Sequence, residues 1–160
     1  MPKRRKRTNK DVPAKGRLKD MADQLWSLAV KEDWANRCAM CGHRGDLNSH
    51  HLIPRQHAAT RYDLHNGICL CRRCHQFCPE RSPHQNAAGF MVWLKVMFPA
   101  SDKWYVETTT ADASIYLNSG ITTNAAYYCD QIRRLKEYVD EDDYTRIVGQ
   151  RFSRWLEENE

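Results

Sequence analysis

Apolar residues recur at helical spacing in four stretches of the chain. The first, at residues 17–32, carries its apolar side chains on one helical face: Leu18, Met21, Ala22, Leu25, Leu28 and Ala29. The same spacing predicts helices at 86–98, where Pro99 ends the pattern, at 124–139 and at 143–157. The chain is therefore expected to be rich in amphipathic helices.

The middle of the chain has short apolar runs that are typical of strands. Residues 47–53 predict one strand and residues 68–70 a return strand, with the Asn66-Gly67 pair between them typical of a tight hairpin turn. A helical element is expected from Arg72 onward, and residues 104–106 predict a further strand. Helices and a small hairpin together indicate the α+β class.

Charge divides the chain into a basic arm and a body of opposite sign. Residues 1–19 hold nine Lys or Arg and one Asp, a net charge of +8, whereas the remainder carries −3. Residues 1–16 lack any apolar period and are expected to be a disordered tail. Its basic residues are candidates for binding nucleic-acid phosphates, with a solubilising terminus as the alternative: Lys3, Arg4, Arg5, Lys6 and Arg7.

Composition favours an intracellular protein. The most apolar stretch, residues 89–98, is too short to span a membrane and contains Lys95. No apolar run follows the basic residues at the start, so no signal peptide is expected. Seven Cys, partly arranged as Cys-x-x-Cys pairs, favour metal binding in a reducing compartment over disulfides. We expect a cytoplasmic location.

Two Cys-x-x-Cys pairs flank the predicted hairpin, Cys38 with Cys41 and Cys71 with Cys74. Four thiolates give zinc a closed tetrahedral site, which stabilises a small fold but leaves no position for water or substrate. A structural zinc is therefore predicted here. A redox pair and four unrelated buried cysteines are the alternatives.

A second set of polar residues follows the same hairpin. His50 and His51 lie on the first strand, and Asn66 and His75 follow His51 in a series with intervals of 15 and 9 residues. With the Cys pairs and the Ile-Pro at Ile53, this set resembles the HNH endonuclease family, in particular its phage-encoded members. The resemblance implies a small ββα-metal (His-Me) zinc-finger core with flanking α-helices.

The resemblance also implies an activity, the hydrolysis of DNA phosphodiesters to 5′-phosphate and 3′-hydroxyl ends. His51 would be the general base, while His50 and His75 would bind one divalent ion, Mg²⁺, Mn²⁺, Zn²⁺ or Ni²⁺. Asn66 would tie the backbone of the two strands together. Neighbouring strand residues point to opposite faces, so His50 and His51 can serve different roles.

One ligand of the family pattern is missing from this sequence, because the position of a further His is Pro79 here. His84 is the candidate to replace it and Cys78 is the second choice, with a solvent-exposed loop histidine as the alternative for His84. Four arginines near the site are candidates for contacting the DNA backbone: Arg55, Arg61, Arg72 and Arg73.

The predicted organisation is a tail at 1–16, an HNH nuclease domain with flanking helices at 17–99, and a mainly helical extension at 100–160. DNA is the expected partner, together with phage or host DNA-processing proteins. Two other functions stay open. A non-catalytic zinc-finger DNA-binding module has no use for the His and Asn residues, and a structure-specific nuclease of phage recombination or packaging differs only in substrate.

Overall fold

A computed structural model describes residues 12–111 and 120–159, and within these ranges six α-helices accompany one two-stranded sheet. In chain order the elements are α1 (Lys15–Asp33), β1 (Leu47–His51), β2 (Gly67–Cys71), α2 (Ala87–Met97), α3 (Pro99–Thr110), α4 (Ala125–Leu135), α5 (Glu141–Val148) and α6 (Gln150–Glu158). A 3-10 helix, Leu64–Asn66, precedes β2, and a π-helical turn, Arg73–Phe77, follows it. This mixture confirms the predicted α+β class.

The face of α1 that the sequence predicts to be apolar is buried. Leu18, Met21, Ala22, Leu25 and Ala29 are all at most 3% exposed. The buried surface also includes two residues that the period does not select, and these are Trp26 and Val30.

The strands β1 and β2 are antiparallel, with Leu47 opposite Cys71 and His51 opposite Gly67. The predicted tight turn at Asn66-Gly67 is wrong. Asn66 ends the 3-10 helix and Gly67 begins β2 with an extended backbone (φ −111°). The long segment after His51 therefore joins the strands, and Asn66 serves inside it as a buried side chain.

The strand predicted at residues 104–106 is also wrong, because these residues lie in the middle of α3. Pro99 ends α2 and at the same time occupies the first turn of α3, where a missing N–H costs nothing. Asp102 in that turn complements the helix dipole. The aromatic residues of 104–106 therefore continue a helix that Pro99 starts.

The helix predicted at 143–157 is interrupted at Gly149, which has φ +81°. A positive φ is easy for glycine and ends α5, and α6 begins at the next residue. At the start of α5, the Asp140 carboxylate accepts a hydrogen bond from the Asp143 backbone N–H. The acids there act as the helix cap that the sequence predicts.

The chain forms two compact units, Met1–Leu25 with Asn124–Glu160 and Trp26–Thr123. The first unit has a core on α4 to α6 that includes Ile132, Tyr144 and Leu156, each at most 1% exposed. The second unit has a core around β2 and α2 that includes Leu70 and Leu94, both fully buried. Of the helices in the described ranges, none is long and apolar enough to cross a membrane.

Candidate active site

The four paired cysteines converge at one end of the hairpin. Their sulfur atoms all lie within 4.8 Å of one another, and Sγ of Cys41 is 3.7 Å from Sγ of Cys71. A zinc ion with Zn–S bonds of about 2.3 Å holds its sulfurs roughly 3.8 Å apart. The distance between these two sulfurs therefore fits a tetrahedral zinc site.

The local backbone brings the first Cys pair to this position. Gly42, with φ +74°, turns the chain so that its N–H donates to the Cys38 carbonyl at 2.8 Å. The Cys38 N–H donates in turn to the His43 carbonyl, which closes the knuckle. The Ala39 N–H donates to the carbonyl of Cys69 on β2, and this bond ties the knuckle to the strand that leads to the second pair.

The environment separates the thiols electrostatically. Burial opposes ionisation of Cys38, but backbone hydrogen bonds from Cys71 and Cys41 outweigh it and lower the pKa of Cys38. Burial, followed by hydrogen bonds with Cys41 and Cys71, raises the pKa of the Cys74 thiol. Four thiolates in this space therefore require a cation among them, and a coordinated thiol is deprotonated outright.

Three histidines form a second cluster, built from three different segments. His50 lies on β1, His75 on the π-helical turn and His84 in the loop before α2. Nε2 of His75 is 3.1 Å from Nδ1 of His50 and 3.1 Å from Nε2 of His84. A cation bound at about 2.1 Å holds adjacent nitrogens roughly 3.0–3.4 Å apart, so the cluster has the spacing of a metal site.

The charge state of the cluster suits a cation. Burial lowers the pKa of His50 to about 3, and repulsion from His75, His84 and His51 adds to the effect. Burial also lowers the pKa of His75. Both imidazoles are neutral at neutral pH, which is the form that binds metal.

Ser82, which is fully buried, links two members of the histidine cluster. Its hydroxyl donates to the His75 carbonyl at 2.7 Å and accepts from the His84 backbone N–H at 3.1 Å. Nδ1 of His75 is buried and has no hydrogen-bond partner among the described residues. The position of His75 therefore depends on its backbone, to which Ser82 is bonded. Sequence reasoning missed Ser82, although a Ser two residues before a His is typical of a side-chain turn.

The structure excludes Cys78 from the histidine cluster, since its thiol donates instead to Oε2 of Glu80 at 3.2 Å. Of the two candidates for the missing ligand, the geometry favours His84.

His51 points away from the cluster and toward the other face of β1. Its Nε2 is 2.9 Å from the Arg61 carbonyl, which can only accept a hydrogen bond. In the neutral ring Nε2 therefore carries the hydrogen and Nδ1 the lone pair. The ring also stacks on Trp26, with centroids 3.7 Å apart and planes at 13°. Sequence reasoning missed this partner, which no spacing rule connects to His51.

Asn66 has no exposed surface and uses its amide on three backbone groups. Its Oδ1 accepts from the Ile53 N–H at 2.6 Å, and its Nδ2 donates to the Ile53 and Thr60 carbonyls at 3.0 Å each. Asn66 thereby holds the segment that follows His51 and carries the Arg61 carbonyl.

The candidate DNA-contacting arginines differ in their surroundings. Arg55, Arg72 and Arg73 are exposed, and the Arg72 guanidinium lies over the Phe77 ring at 5.9 Å. Arg61 donates to the Arg55 carbonyl and to the Tyr62 hydroxyl, so part of its guanidinium is used inside the loop. The tail candidates Lys3, Arg4, Arg5, Lys6 and Arg7 lie outside the described residues.

The hairpin with its cysteine cluster defines a zinc finger of the ββα-metal class, flanked by helices. Residues 38–77 match the family model described as HNH endonuclease, which covers a quarter of the 160 residues. This part of the chain is an HNH domain, as the sequence predicts. A search of curated proteins and a search of solved structures each found no match.

Proposed function

We propose that the protein is a metal-dependent endonuclease that hydrolyses DNA phosphodiester bonds. One observation carries the proposal. Inside an HNH domain, adjacent strand residues place an oriented imidazole, His51, beside a three-histidine cluster that contains His50.

His51 acts as the general base. Its lone pair on Nδ1 accepts the proton of the attacking water, and the Arg61 carbonyl stabilises the imidazolium that results. A neutral imidazole with an ordinary pKa near 6.5 suits proton transfer at neutral pH.

His50, His75 and His84 hold the divalent ion. When bound, that ion supplies electrostatic stabilisation of the phosphate and of the leaving 3′ oxygen. The histidines contribute neutral nitrogen ligands at fixed spacing, and the Ser82 hydroxyl keeps the His84 loop beside His75.

The cysteine site is a structural zinc site in this proposal. It joins the knuckle before β1 to the turn after β2, and its four ligands leave no open position for chemistry. Cys71 and Cys74 also fix the start of the turn that presents His75.

DNA binding is assigned to exposed cations around the site, Arg55, Arg72 and Arg73, with a contribution from Arg61 and from the basic tail. The site residues all lie between 17 and 99, and we propose this range as the nuclease domain, with the tail at 1–16 and an extension at 100–160. A cytoplasmic location, a phage or prophage origin and an association with DNA-processing proteins belong to the same proposal.

Incubation of the purified protein with supercoiled plasmid tests the activity. We expect relaxed or linear DNA with Mg²⁺, Mn²⁺ or Ni²⁺ and intact plasmid with EDTA. Cleavage by His50→Ala should be weaker and should recover partly at high Mn²⁺, because this change removes a ligand and leaves the base. Binding of DNA without cleavage under every ion would instead establish a non-catalytic zinc-finger module.

A further inference from the structure

The stacking partner of His51 comes from outside the HNH domain. Trp26 lies in α1, twelve residues before the first residue of the family match at 38. It is 3% exposed, and its indole lies nearly parallel to the His51 ring at 3.7 Å between centroids. A helix that precedes the finger thus supplies one wall of the proposed base site.

Trp26 is itself held on two sides. Its Nε1 donates to the Asp63 carbonyl at 3.0 Å, in the segment that joins the two strands. Its six-membered ring lies against Gly67, where an added Cβ would be 3.1 Å from Cζ2. The indole can therefore act as a fixed surface rather than as a mobile contact.

The helix that carries Trp26 is also bonded to β1. The Ser49 hydroxyl donates to the Ser27 carbonyl at 2.8 Å. Ser49 is two residues before His51 and Ser27 directly follows Trp26, so this bond fixes the indole relative to the strand that carries the imidazole.

The hydrogen bond to the Arg61 carbonyl restrains one edge of the His51 ring but leaves the ring free to tilt about that edge. A flat surface at 3.7 Å removes this freedom, and with it the spread in direction of the Nδ1 lone pair. General-base catalysis depends on that direction, since a misplacement of 1 Å can cost about 100-fold in rate. An aromatic face also attracts the imidazolium that forms as the proton is taken up.

We infer that Trp26 is a positioning residue of the nuclease site, which holds the imidazole of His51 in the plane needed for proton transfer. This inference rests on the proposed function. It adds that the HNH segment alone is an incomplete active site and that α1 completes it.

Trp34 provides a matched control. It belongs to the same unit and its Nε1 also donates to a backbone carbonyl, that of Gly67, at 3.1 Å. Its ring packs edge-on against Phe98, with centroids 4.8 Å apart. Removal of this indole disturbs packing beside the hairpin without removing the stack on His51.

The test compares plasmid cleavage by the full chain carrying Trp26→Leu, Trp26→Phe or Trp34→Leu, at saturating Mn²⁺. Trp26→Leu should lower kcat roughly 10- to 100-fold with KM for DNA and zinc content unchanged. Trp26→Phe should keep most of the wild-type kcat because a phenyl ring can stack in the same way, and Trp34→Leu should keep it as well. The inference is overturned by wild-type kcat in folded Trp26→Leu, by an equal loss in Trp26→Phe, or by an equal loss in Trp34→Leu.

A second measurement does not depend on activity or on the folding of Trp26→Leu. In the NMR spectrum of the wild-type protein, the ring protons of His51, assigned by their absence in His51→Ala, should be shielded by the indole ring current. Trp34→Leu should leave that shift in place. Cleavage by the wild type with an unshielded His51 ring overturns the role of Trp26 alone. A shielded ring without cleavage under any ion overturns the proposed function and the positioning role with it.

Discussion

At the scale of single residues, the site depends on side chains whose partners are backbone groups. Asn66 bonds to Ile53 and Thr60, Ser82 bonds to His75 and His84, and His51 bonds to the Arg61 carbonyl. Each of these contacts fixes the course of a segment that has no regular structure. The histidines are placed by such segments as much as by the sheet.

Replacement of Asn66 by Ala should destabilise the protein. It leaves two carbonyls and one N–H of the buried segment without their partner, at about 1 kcal/mol or more each, so we expect a loss of about 3 kcal/mol in the free energy of unfolding. Urea denaturation measures it. Asn48→Ala is the matched control, because Asn48 makes one exposed bond to the Asp46 carbonyl and should change stability by less than about 0.5 kcal/mol. Equal midpoints for both variants would show that the Asn66 amide is not needed.

Replacement of His84 by Ala tests the third ligand. The half-saturating Mn²⁺ concentration for cleavage should rise roughly 10-fold or more, since one of three nitrogen ligands is lost. Zinc content should stay the same because the cysteine cluster is untouched. His43→Ala, an exposed histidine outside the cluster, should leave the metal titration unchanged. Superimposable titrations for His84→Ala and wild type would mean that His84 is an ordinary loop residue.

Sequence spacing identified the cysteines, His50, His51, Asn66 and His75, because metal ligands and strand neighbours follow local rules. It did not identify Trp26 or Ser82. Trp26 reaches His51 from 25 residues away in sequence, through a contact between a helix and a strand. No local period encodes such a contact, so it becomes visible only when the fold is known.

At the scale of elements, helices were predicted more accurately than the segments between them. The apolar period gave α1, α2 and α4 correctly. It failed where a single residue decides the backbone, at Pro99, which starts α3, and at Gly149, which separates α5 from α6. The Asn66-Gly67 pair was misread because its glycine serves packing rather than a turn.

Gly67 allows α1 to approach β2 closely. A Cβ added there would clash with Cγ2 of Val30 and lie 3.1 Å from Cζ2 of Trp26, and neither side chain can move away without disturbing the core. Gly67→Ala should therefore cost about 1–3 kcal/mol of stability, measured by urea denaturation.

Gly16→Ala is the control for this prediction. An added Cβ at Gly16 meets nothing within 4 Å, and the position lies near the start of α1, so this change should be neutral or stabilising by up to about 1 kcal/mol. If Gly67→Ala is as stable as Gly16→Ala, the close approach of α1 to the hairpin is not tight.

At the scale of the whole molecule, the chain combines two means of stabilisation. The unit Met1–Leu25 with Asn124–Glu160 has an apolar core of its own, including Ile132 and Tyr144. The unit Trp26–Thr123 holds a two-stranded sheet, which is too small to be stable by itself. A bound zinc at the cysteine cluster adds its binding free energy to the stability of that unit.

Metal analysis and thermal unfolding test the zinc. The wild type should contain one equivalent of tightly bound zinc, and Cys74→Ser should lose it and unfold the finger. Cys129→Ser, which alters a buried cysteine outside the cluster, should keep the zinc. Wild-type protein without zinc, or Cys74→Ser with a full equivalent, would contradict a structural zinc site.

The central claim is that His51 is the base of a nuclease, and its most direct test is the plasmid cleavage rate of His51→Ala at saturating Mn²⁺. The imidazole faces away from the metal cluster, so its removal should leave zinc content, fold and DNA binding as in the wild type. Cleavage should nevertheless fall by roughly two to four orders of magnitude, the usual contribution of a general base. A His51→Ala protein that cuts plasmid as fast as the wild type would contradict this assignment.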